Sequence, residues 1–404
     1  MKLFYFKEQD RPINYFNTSK QIEVPEEYIE KKVRAFWVST VANIDLPILT
    51  DEKQYKKELD KIVETARDYN INTIYFQVRP LNDAFYKSKL NPTSRYLMGE
   101  EGKEMPFDVL SYLIDISSRA NIEVHAWCNP YRVSKPFSDT KAAYLESLDD
   151  LNFAKRRPDL VITDNTKQLI LNPTSEEVKD FITESMIEIV ANYDVKGIHW
   201  DDYFYPYAPL SDDDNDLENY NNRSDKTMDL AAFRRYHVTD VIRKVYEGVK
   251  SVNKDKVFGV SPFGIWRGIE NDPRGSNTGR TSQSYDGQYA DSYEWVKKGY
   301  IDYIVPQLYW FFGHETAPIA DLVKWWSELV RGTNVELYIG HPAYRQGEKG
   351  EFENPLEVVN QVKYANSYKE VSGNVFFTFK NFLEKDVNKE GMKNLRKLLR
   401  NEDV

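Results

Sequence analysis

The chain has 404 residues, of which 41% are hydrophobic, and a formal net charge of −10 at pH 7. This length could form two average domains, although a barrel commonly uses about 250 or more residues as one unit. The acidic balance argues against a nucleic-acid partner, which needs a basic face, and favours a neutral or cationic substrate.

The sequence contains one cysteine, Cys128, and no apolar run long enough to cross a membrane. A single cysteine excludes an internal disulfide and a metal site built from thiolates. The apolar run Leu3–Phe6 is too short for the core of a signal peptide. We therefore expect either a cytoplasmic protein or an exported one whose signal has been trimmed from this sequence.

Taken in chain order, the sequence predicts eight short apolar strands that alternate with helices. Residues 1–32 are polar, contain Pro12 and Pro25, and are predicted to form an irregular N-terminal segment. The strands are predicted at Val33–Thr40, Thr73–Pro80, Ile122–Pro130, the apolar part of Gly197–Pro206, Val257–Gly264, Tyr303–Trp310, Leu337–Pro342 and Gly373–Lys380. The helices are predicted at Asp51–Asp68, Pro106–Ala120, Ser175–Tyr193, 227–251, 289–299, 317–330, Pro355–Tyr368 and 387–400.

Two longer segments interrupt this alternation. Residues 131–173 lack clear periodicity and are predicted to be an insertion with a short hairpin near Leu169–Pro173. Residues Ser211–Asp225 carry alternating aspartates like the start of a calcium loop. However, Leu217 stands where such a loop needs glycine, and Arg223 where it needs glutamate. We therefore expect a solvated loop here rather than a metal site.

The alternation of strands and helices, with no hairpin signal between the strands, predicts the α/β class and a (β/α)8 TIM barrel. An open, doubly wound sheet is the alternative. It usually has a glycine-rich phosphate turn after an early strand, and none is present. We expect one main domain over residues 33–385, preceded by the irregular segment 1–32 and followed by a C-terminal helix within 386–404 that packs on the barrel.

Polar residues collect at the carboxyl ends of the predicted strands. In a TIM barrel these ends all face one opening, where the active site lies. The candidate binding residues at or just after these ends are Arg79, Asp83, Asn129, Tyr131, His199, Tyr203, Gln307, Tyr309, Trp310 and His341. The 28 Tyr, 21 Phe and 8 Trp are compatible with a sugar-binding cleft, because aromatic rings stack on the C–H faces of sugars. Such rings are also used in core packing.

Two adjacent acids, Asp201 and Asp202, follow the fourth strand and are the first candidates for catalysis. Hydrolysis of a glycosidic bond needs two carboxyl groups, one to protonate the leaving oxygen and one to attack carbon or activate water. Asp201 and Asp202 cannot be separated from sequence, and one of them is expected to hold a neighbour such as His199 or Arg79 in place. The second acid is sought on another loop, at Asp286, at Glu315 or at Asp83. No metal and no cofactor are expected.

The motifs that carry this pattern resemble one known family. They are Arg34–Val38, Gln77–Pro80, Asp83–Tyr86, Val124–Trp127, Asn129–Arg132, Gly197–Pro206, Ser261–Arg267, Ser284–Asp286, Tyr289–Asp291, Ile301–Tyr303 and Pro306–Trp310. In this order, over roughly residues 33 to 346, the chain resembles the glycosyl-hydrolase-like family 10 proteins. Cys128, where a bulky apolar residue is expected, and the acidic loop 211–225 depart from the family pattern.

The resemblance implies a TIM-barrel glycosidase and a carbohydrate partner. Some members of the family act on bacterial cell-wall glycan, cleaving strands stripped of their peptides. Members are commonly exported, often as lipoproteins, which bears against a cytoplasmic location. The oligomeric state does not follow from the sequence.

Two other functions compete with the glycosidase. A barrel that binds glycan without cutting it would use the aromatic cleft alone. A Schiff-base aldolase would need a lysine on an inner strand face, and the predicted strands carry none there.

Overall fold

The structure, a computed structural model, describes residues 1–404. Eight parallel strands close into a barrel in which neighbours in the chain are neighbours in the sheet and the last strand pairs with the first. The strands are β1 (Val33–Val38), β2 (Thr73–Arg79), β3 (Glu123–Cys128), β4 (Gly197–Trp200), β5 (Val257–Val260), β6 (Tyr303–Ile304), β7 (Glu336–His341) and β8 (Val371–Phe376). The predicted (β/α)8 TIM barrel is confirmed.

A helix follows each barrel strand, close to where the apolar periodicity predicts it. The helices are α1 (Glu52–Asp68), α2 (Val109–Arg119), α3 (Glu176–Asn192), α4 (Leu230–Val252), α5 (Ser292–Lys298), α6 (Ile319–Val330), α7 (Glu357–Asn366) and α8 (Lys389–Leu399). Side-chain caps fix several starts: Asp51 accepts from the Gln54 N–H, and Ser175 accepts from the Val178 N–H. These bonds satisfy N–H groups that the first turn of a helix leaves free.

Several strands end earlier than the sequence predicts, most clearly β5, β6 and β8. Pro262 follows β5 and Pro306 follows β6, and proline has no N–H with which to continue a ladder. Beyond β4, the Tyr203 N–H donates to the Asp201 carboxylate at 3.3 Å rather than to a neighbouring strand. Beyond β5 and β6 the pairing is reduced to isolated parallel bridges, Phe263 with Gln307 and Gln307 with Gly340, and the residues there form the rim of the barrel mouth.

Side chains fill the barrel interior, and several of them are aromatic rings that carry a polar atom. A cluster of buried side chains fills it: Val33, Ala35, Trp37, Tyr75, Trp127, Tyr303, Val305, Tyr338 and Val375. His125 and His199 lie among these rings, with the His199 ring stacked on that of Tyr303. The layer supports the residues above it at the mouth.

The segments outside the alternation pack against the barrel. The insertion contains the predicted hairpin, formed by Val161–Thr163 and Leu169–Leu171. In the N-terminal segment, the Phe16 N–H donates to Asp321 of α6 at 3.0 Å. In α8, Arg396 pairs with Asp68 at 3.0 Å. No helix combines the length and the apolar character needed to span a bilayer.

Candidate active site

A cavity of about 360 Å³ lies at the carboxyl ends of the barrel strands, and we call it the mouth cavity. Its size is within the range of small-ligand sites. Its walls are largely aromatic: Trp37, Trp127, Tyr203, Tyr207, Phe263, Tyr309, Trp310, Tyr344 and Phe377. The charged groups that line it are two acids, Asp201 and Asp202, and two bases, Arg132 and Lys135.

The two adjacent acids both line the mouth cavity because β4 ends before them. In a continued strand, neighbouring side chains would point to opposite faces. The ladder stops at Trp200, so the backbone at Asp201 and Asp202 is not held in that alternation. Both side chains are more than nine-tenths buried, and neither is within ion-pair distance of a basic group. Two carboxyl groups thus share one largely apolar site.

Asp201 is held by donors on β3 and the turn after it. Its Oδ2 accepts from the Trp127 indole N–H at 3.0 Å, and its Oδ1 accepts from the Asn129 amide at 3.0 Å. Burial raises the pKa of Asp201 to about 6; the nearby charge of Arg132 lowers it and that of Asp202 raises it. At neutral pH this carboxyl group is therefore poised to gain and lose a proton.

Asp202 is held by donors on the other side of the mouth. Its Oδ1 accepts from the Gln307 amide at 2.9 Å, and its Oδ2 accepts from the Tyr207 hydroxyl. Burial raises the pKa of Asp202, while these two hydrogen bonds lower it. The side-chain partners of Asp201, an indole N–H and an amide NH2, can only donate, so a proton on Asp201 is available to a ligand.

His199 lies below the acids and organises the floor of the cavity. Its Nε2 accepts from the Trp37 indole N–H at 3.0 Å and lies 3.0 Å from the Ser261 hydroxyl. Since indole only donates, Nε2 carries no proton, and the proton is on Nδ1, which faces the Tyr303 hydroxyl at 3.1 Å. Burial lowers the pKa of His199 well below its usual value. A neutral imidazole thus positions Trp37 and Ser261, both of which line the cavity.

The structure does not bring the predicted partner acids to this cavity. Asp286 forms a two-point ion pair with Arg267, at 3.0 and 3.1 Å, and faces a neighbouring groove. Glu315 is exposed, beyond the end of β6. Asp83 is buried beside β2, where it accepts from the Leu81 N–H at 3.0 Å. The acids that meet at the mouth are therefore the adjacent pair alone.

The predicted binding residues fall into two groups. Those that line the mouth cavity are Tyr203, Gln307, Tyr309 and Trp310. Those that lie behind its walls are Arg79, Asp83, Asn129, Tyr131, His199 and His341. Asn129 and His199 act on lining residues through hydrogen bonds, as described above.

Arg79 and His341 are placed away from the cavity by their own partners. The buried Arg79 guanidinium donates to the Asn129 carbonyl at 2.6 Å and to Asn82 at 2.6 Å, and so holds the turn that carries Asn129. His341 bonds to Asn374 of β8 at 2.8 Å. These contacts support the turn after β3 and the barrel wall.

Several lining residues were not singled out from the sequence. Trp37 and Trp127 lie near the ends of β1 and β3. Because alternate residues of a strand point to the same face, these two could have been predicted to point into the barrel. Tyr207 follows Pro206 and reaches back to Asp202. Arg132 stands out in the sequence only as part of the motif Asn129–Arg132, and nothing in the irregular segment that carries Lys135 indicates that Lys135 reaches the mouth.

Comparison with known proteins identifies a family. The family described as Glycosyl hydrolase-like 10 matches residues 32–356. Glycosyl hydrolase YngK of Bacillus subtilis is 35% identical over 356 residues, which cover 87% of this chain and 69% of that protein. Glycosyl hydrolase DigH of Escherichia coli K12 is 34% identical over 365 residues, which cover 85% of this chain and 82% of that protein.

A solved structure agrees with the fold. The glycoside hydrolase domain of PgaB (BpsB) from Bordetella bronchiseptica superposes with a TM-score of 0.57, covering 92% of this chain and 99% of that one. The two sequences are 12% identical, so this is a likeness of fold.

Proposed function

We propose that this chain, which belongs to the glycosyl hydrolase-like 10 family, is a glycoside hydrolase that uses Asp201 and Asp202 as its catalytic carboxyl groups. The observation that carries the proposal is that two buried acids without ion-pair partners meet at one aromatic cavity at the barrel mouth. Hydrolysis of a glycosidic bond typically uses two carboxyl groups, one as proton donor and one as an ionised carboxylate. The family and the relatives named glycosyl hydrolase support this class of reaction.

Asp201 is the proton donor in this scheme. Its pKa of about 6 leaves about one-tenth of the carboxyl groups protonated at pH 7, against less than about one-thousandth for an ordinary aspartic acid. The negative charge of Asp202 contributes to this shift, so an ionised Asp202 favours the protonated form of Asp201. From there it passes to the oxygen of the leaving sugar. Positioned proton transfer of this kind accelerates reactions by about a hundredfold to ten-thousandfold.

Asp202 is the ionised member of the pair. The Gln307 amide and the Tyr207 hydroxyl both donate to it and so favour its charged form. Its negative charge stabilises the positive charge that develops on the sugar ring in the oxocarbenium-like transition state. A water molecule then forms the new bond to the anomeric carbon and gives a proton to Asp201, which restores the pair. In this scheme the two acids take different roles because the charge of each carboxyl group affects the pKa of the other. The two groups are neighbours in the chain and do not come from separate loops.

The proposed substrate is a glycan, and bacterial cell-wall strands are the first choice. The aromatic walls of the mouth cavity suit the C–H faces of sugar rings. The choice of cell-wall glycan rests on the family resemblance, since some members cleave strands stripped of their peptides.

The proposal is tested by incubating the purified protein with peptide-free cell-wall strands, chitin oligomers and unrelated neutral glycans, followed by mass spectrometry. We expect shortened cell-wall strands with new reducing ends. A protein that binds these strands in equilibrium dialysis but leaves every glycan intact would instead be a non-catalytic binding barrel, and the proposal would fall.

A further inference from the structure

Arg132 stands out among the buried cations of the protein because its guanidinium has neither a hydrogen-bond acceptor nor a carboxylate partner. Only 3% of the residue is exposed, and no carboxylate lies within ion-pair distance of it. None of its side-chain nitrogens donates a hydrogen bond within the chain, and its Nε is fully buried without an acceptor. Such groups are costly to bury unless a partner is supplied.

A comparison with Arg79 shows how unusual this is. The Arg79 guanidinium is equally buried, but it donates to two backbone carbonyls and two asparagine side chains, at 2.6 to 3.2 Å. Arg79 thus satisfies its donors inside the protein. Arg132 does not, and its side chain lines the mouth cavity instead.

The surroundings of Arg132 fix its plane and add a second positive charge. The centre of its guanidinium lies 4.1 Å from the centroid of the Tyr203 ring, which provides a flat support. Lys135 lines the same cavity, has no ion-pair partner, and has its pKa lowered by burial and then by the charge of Arg132. The chain is acidic overall, but Arg132 and Lys135 make this wall of the cavity cationic. The Asp201–Asp202 pair lines the same cavity.

We propose that Arg132 and Lys135 form a subsite for a carboxylate carried by one of the sugars of the substrate. The inference rests on the proposed glycosidase function and specifies the substrate class: a glycan that bears acidic groups. A guanidinium can bind a carboxylate through two parallel hydrogen bonds, and an ammonium adds a point charge. Repulsion keeps the same carboxylate away from the two aspartates, so the arrangement sets which way the sugar chain lies in the cavity.

The test compares peptide-free cell-wall strands, which carry a lactyl carboxylate on alternate sugars, with the same strands after these carboxylates are reduced to alcohols. The wild-type protein should cleave the acidic strands with a kcat/KM about 10 to 100 times higher than the reduced ones, the loss expected when a charged hydrogen-bonded partner is removed. Arg132→Gln should bring the ratio close to one, mainly by slowing cleavage of the acidic strands. Arg132→Lys should restore part of the preference, and Lys135→Gln should weaken it.

Arg267→Gln is the matched control, since Arg267 lies outside the mouth cavity and is already paired with Asp286. It should leave the ratio unchanged, and thermal melting should show that each variant is folded. If Arg132→Gln slows cleavage of acidic and reduced strands equally, Arg132 acts on the aspartates rather than on the substrate, and the proposal is overturned.

Measurements of binding test the carboxylate subsite independently of the proposed hydrolase activity. Affinities of both strand types are measured by calorimetry on the wild-type protein and on Arg132→Gln. The wild-type protein could bind acidic strands more tightly, lose this preference in Arg132→Gln and cleave neither strand type. That result would contradict the proposed hydrolase activity and support the subsite. If the wild-type protein binds both strand types equally, or binds neither, the proposed carboxylate subsite is wrong.

Discussion

The hydrogen bond from Trp127 to Asp201 allows the proton donor to be tested without removing it. Replacing Trp127 with phenylalanine keeps an aromatic ring at the cavity wall and deletes the indole N–H that lies 3.0 Å from Oδ2. That N–H stabilises the ionised form of Asp201, so its loss should raise the pKa. A hydrogen bond to a charged group contributes about 1.5 to 3 kcal/mol. Since one pKa unit corresponds to about 1.36 kcal/mol, the pKa of Asp201 should rise by about 1 to 2 units.

The pH dependence of kcat/KM measures this shift. A proton donor must be protonated in the free enzyme, so activity of the wild-type protein should fall as the pH rises through about 6. In Trp127→Phe the same alkaline limb should move to higher pH by about 1 to 2 units. The smaller ring should also lower kcat/KM at every pH, which changes the height of the profile but not the position of the limb.

Trp37 provides a matched control for this substitution. It lines the same cavity, but its indole N–H donates to His199 rather than to an acid. Trp37→Phe should therefore lower activity and leave the alkaline limb in place. An unmoved limb in Trp127→Phe, or the same displacement in both variants, would refute the assignment of Asp201 as the proton donor.

Three further predictions follow from neighbouring contacts. Tyr207→Phe removes a donor to Asp202, so the pKa of Asp202 should rise, and the acidic limb of the kcat/KM profile should move up by about 1 unit; an unmoved limb would argue against an ionised Asp202. Glu357 is buried, and burial raises its pKa to about 7. The protonated side chain is compatible with burial, so its contribution to folding stability is fully present below the ordinary pKa of glutamate and is lost as the pH rises through about 7. Glu357→Gln should therefore raise the melting temperature by a few degrees at pH 8 and by little at pH 4, from roughly 3 kcal/mol of removed penalty; calorimetric melts that show the same gain at both pH values would contradict this. Asp286→Asn should leave kcat within about twofold, because its partner Arg267 and its groove lie outside the mouth cavity; a large loss in a glycan-cleavage assay would restore Asp286 as a catalytic candidate.

Most of the fold could be predicted because the barrel strands and helices carry strong patterns. The helix starts were accurate where an aspartate or serine caps the first turn, as at Asp51 and Ser175. The strand ends were less accurate. The apolar character of the sequence continues past β5 and β6, but Pro262 and Pro306 interrupt the ladder, and this decides which residues turn toward the mouth.

The candidate site could be predicted only in part. The adjacent acids were found because they directly follow an apolar strand, but whether Asp202 also reaches the cavity depends on where β4 stops. Asp286 lies in the long loop after β5 and pairs with Arg267, a contact that no local sequence pattern indicates. Lys135 lies in an irregular segment, so its presence beside Arg132 is set by tertiary packing alone.

The central claim is that the adjacent acids at the end of β4 carry out glycan cleavage. The most direct test is to digest peptide-free cell-wall strands with Asp201→Asn and Asp202→Asn and to follow new reducing ends together with strand affinity. We predict that both variants bind the strands and that each loses at least about a hundredfold in kcat. Wild-type rates in either variant, with the strand shortened at the same linkages, would contradict the account.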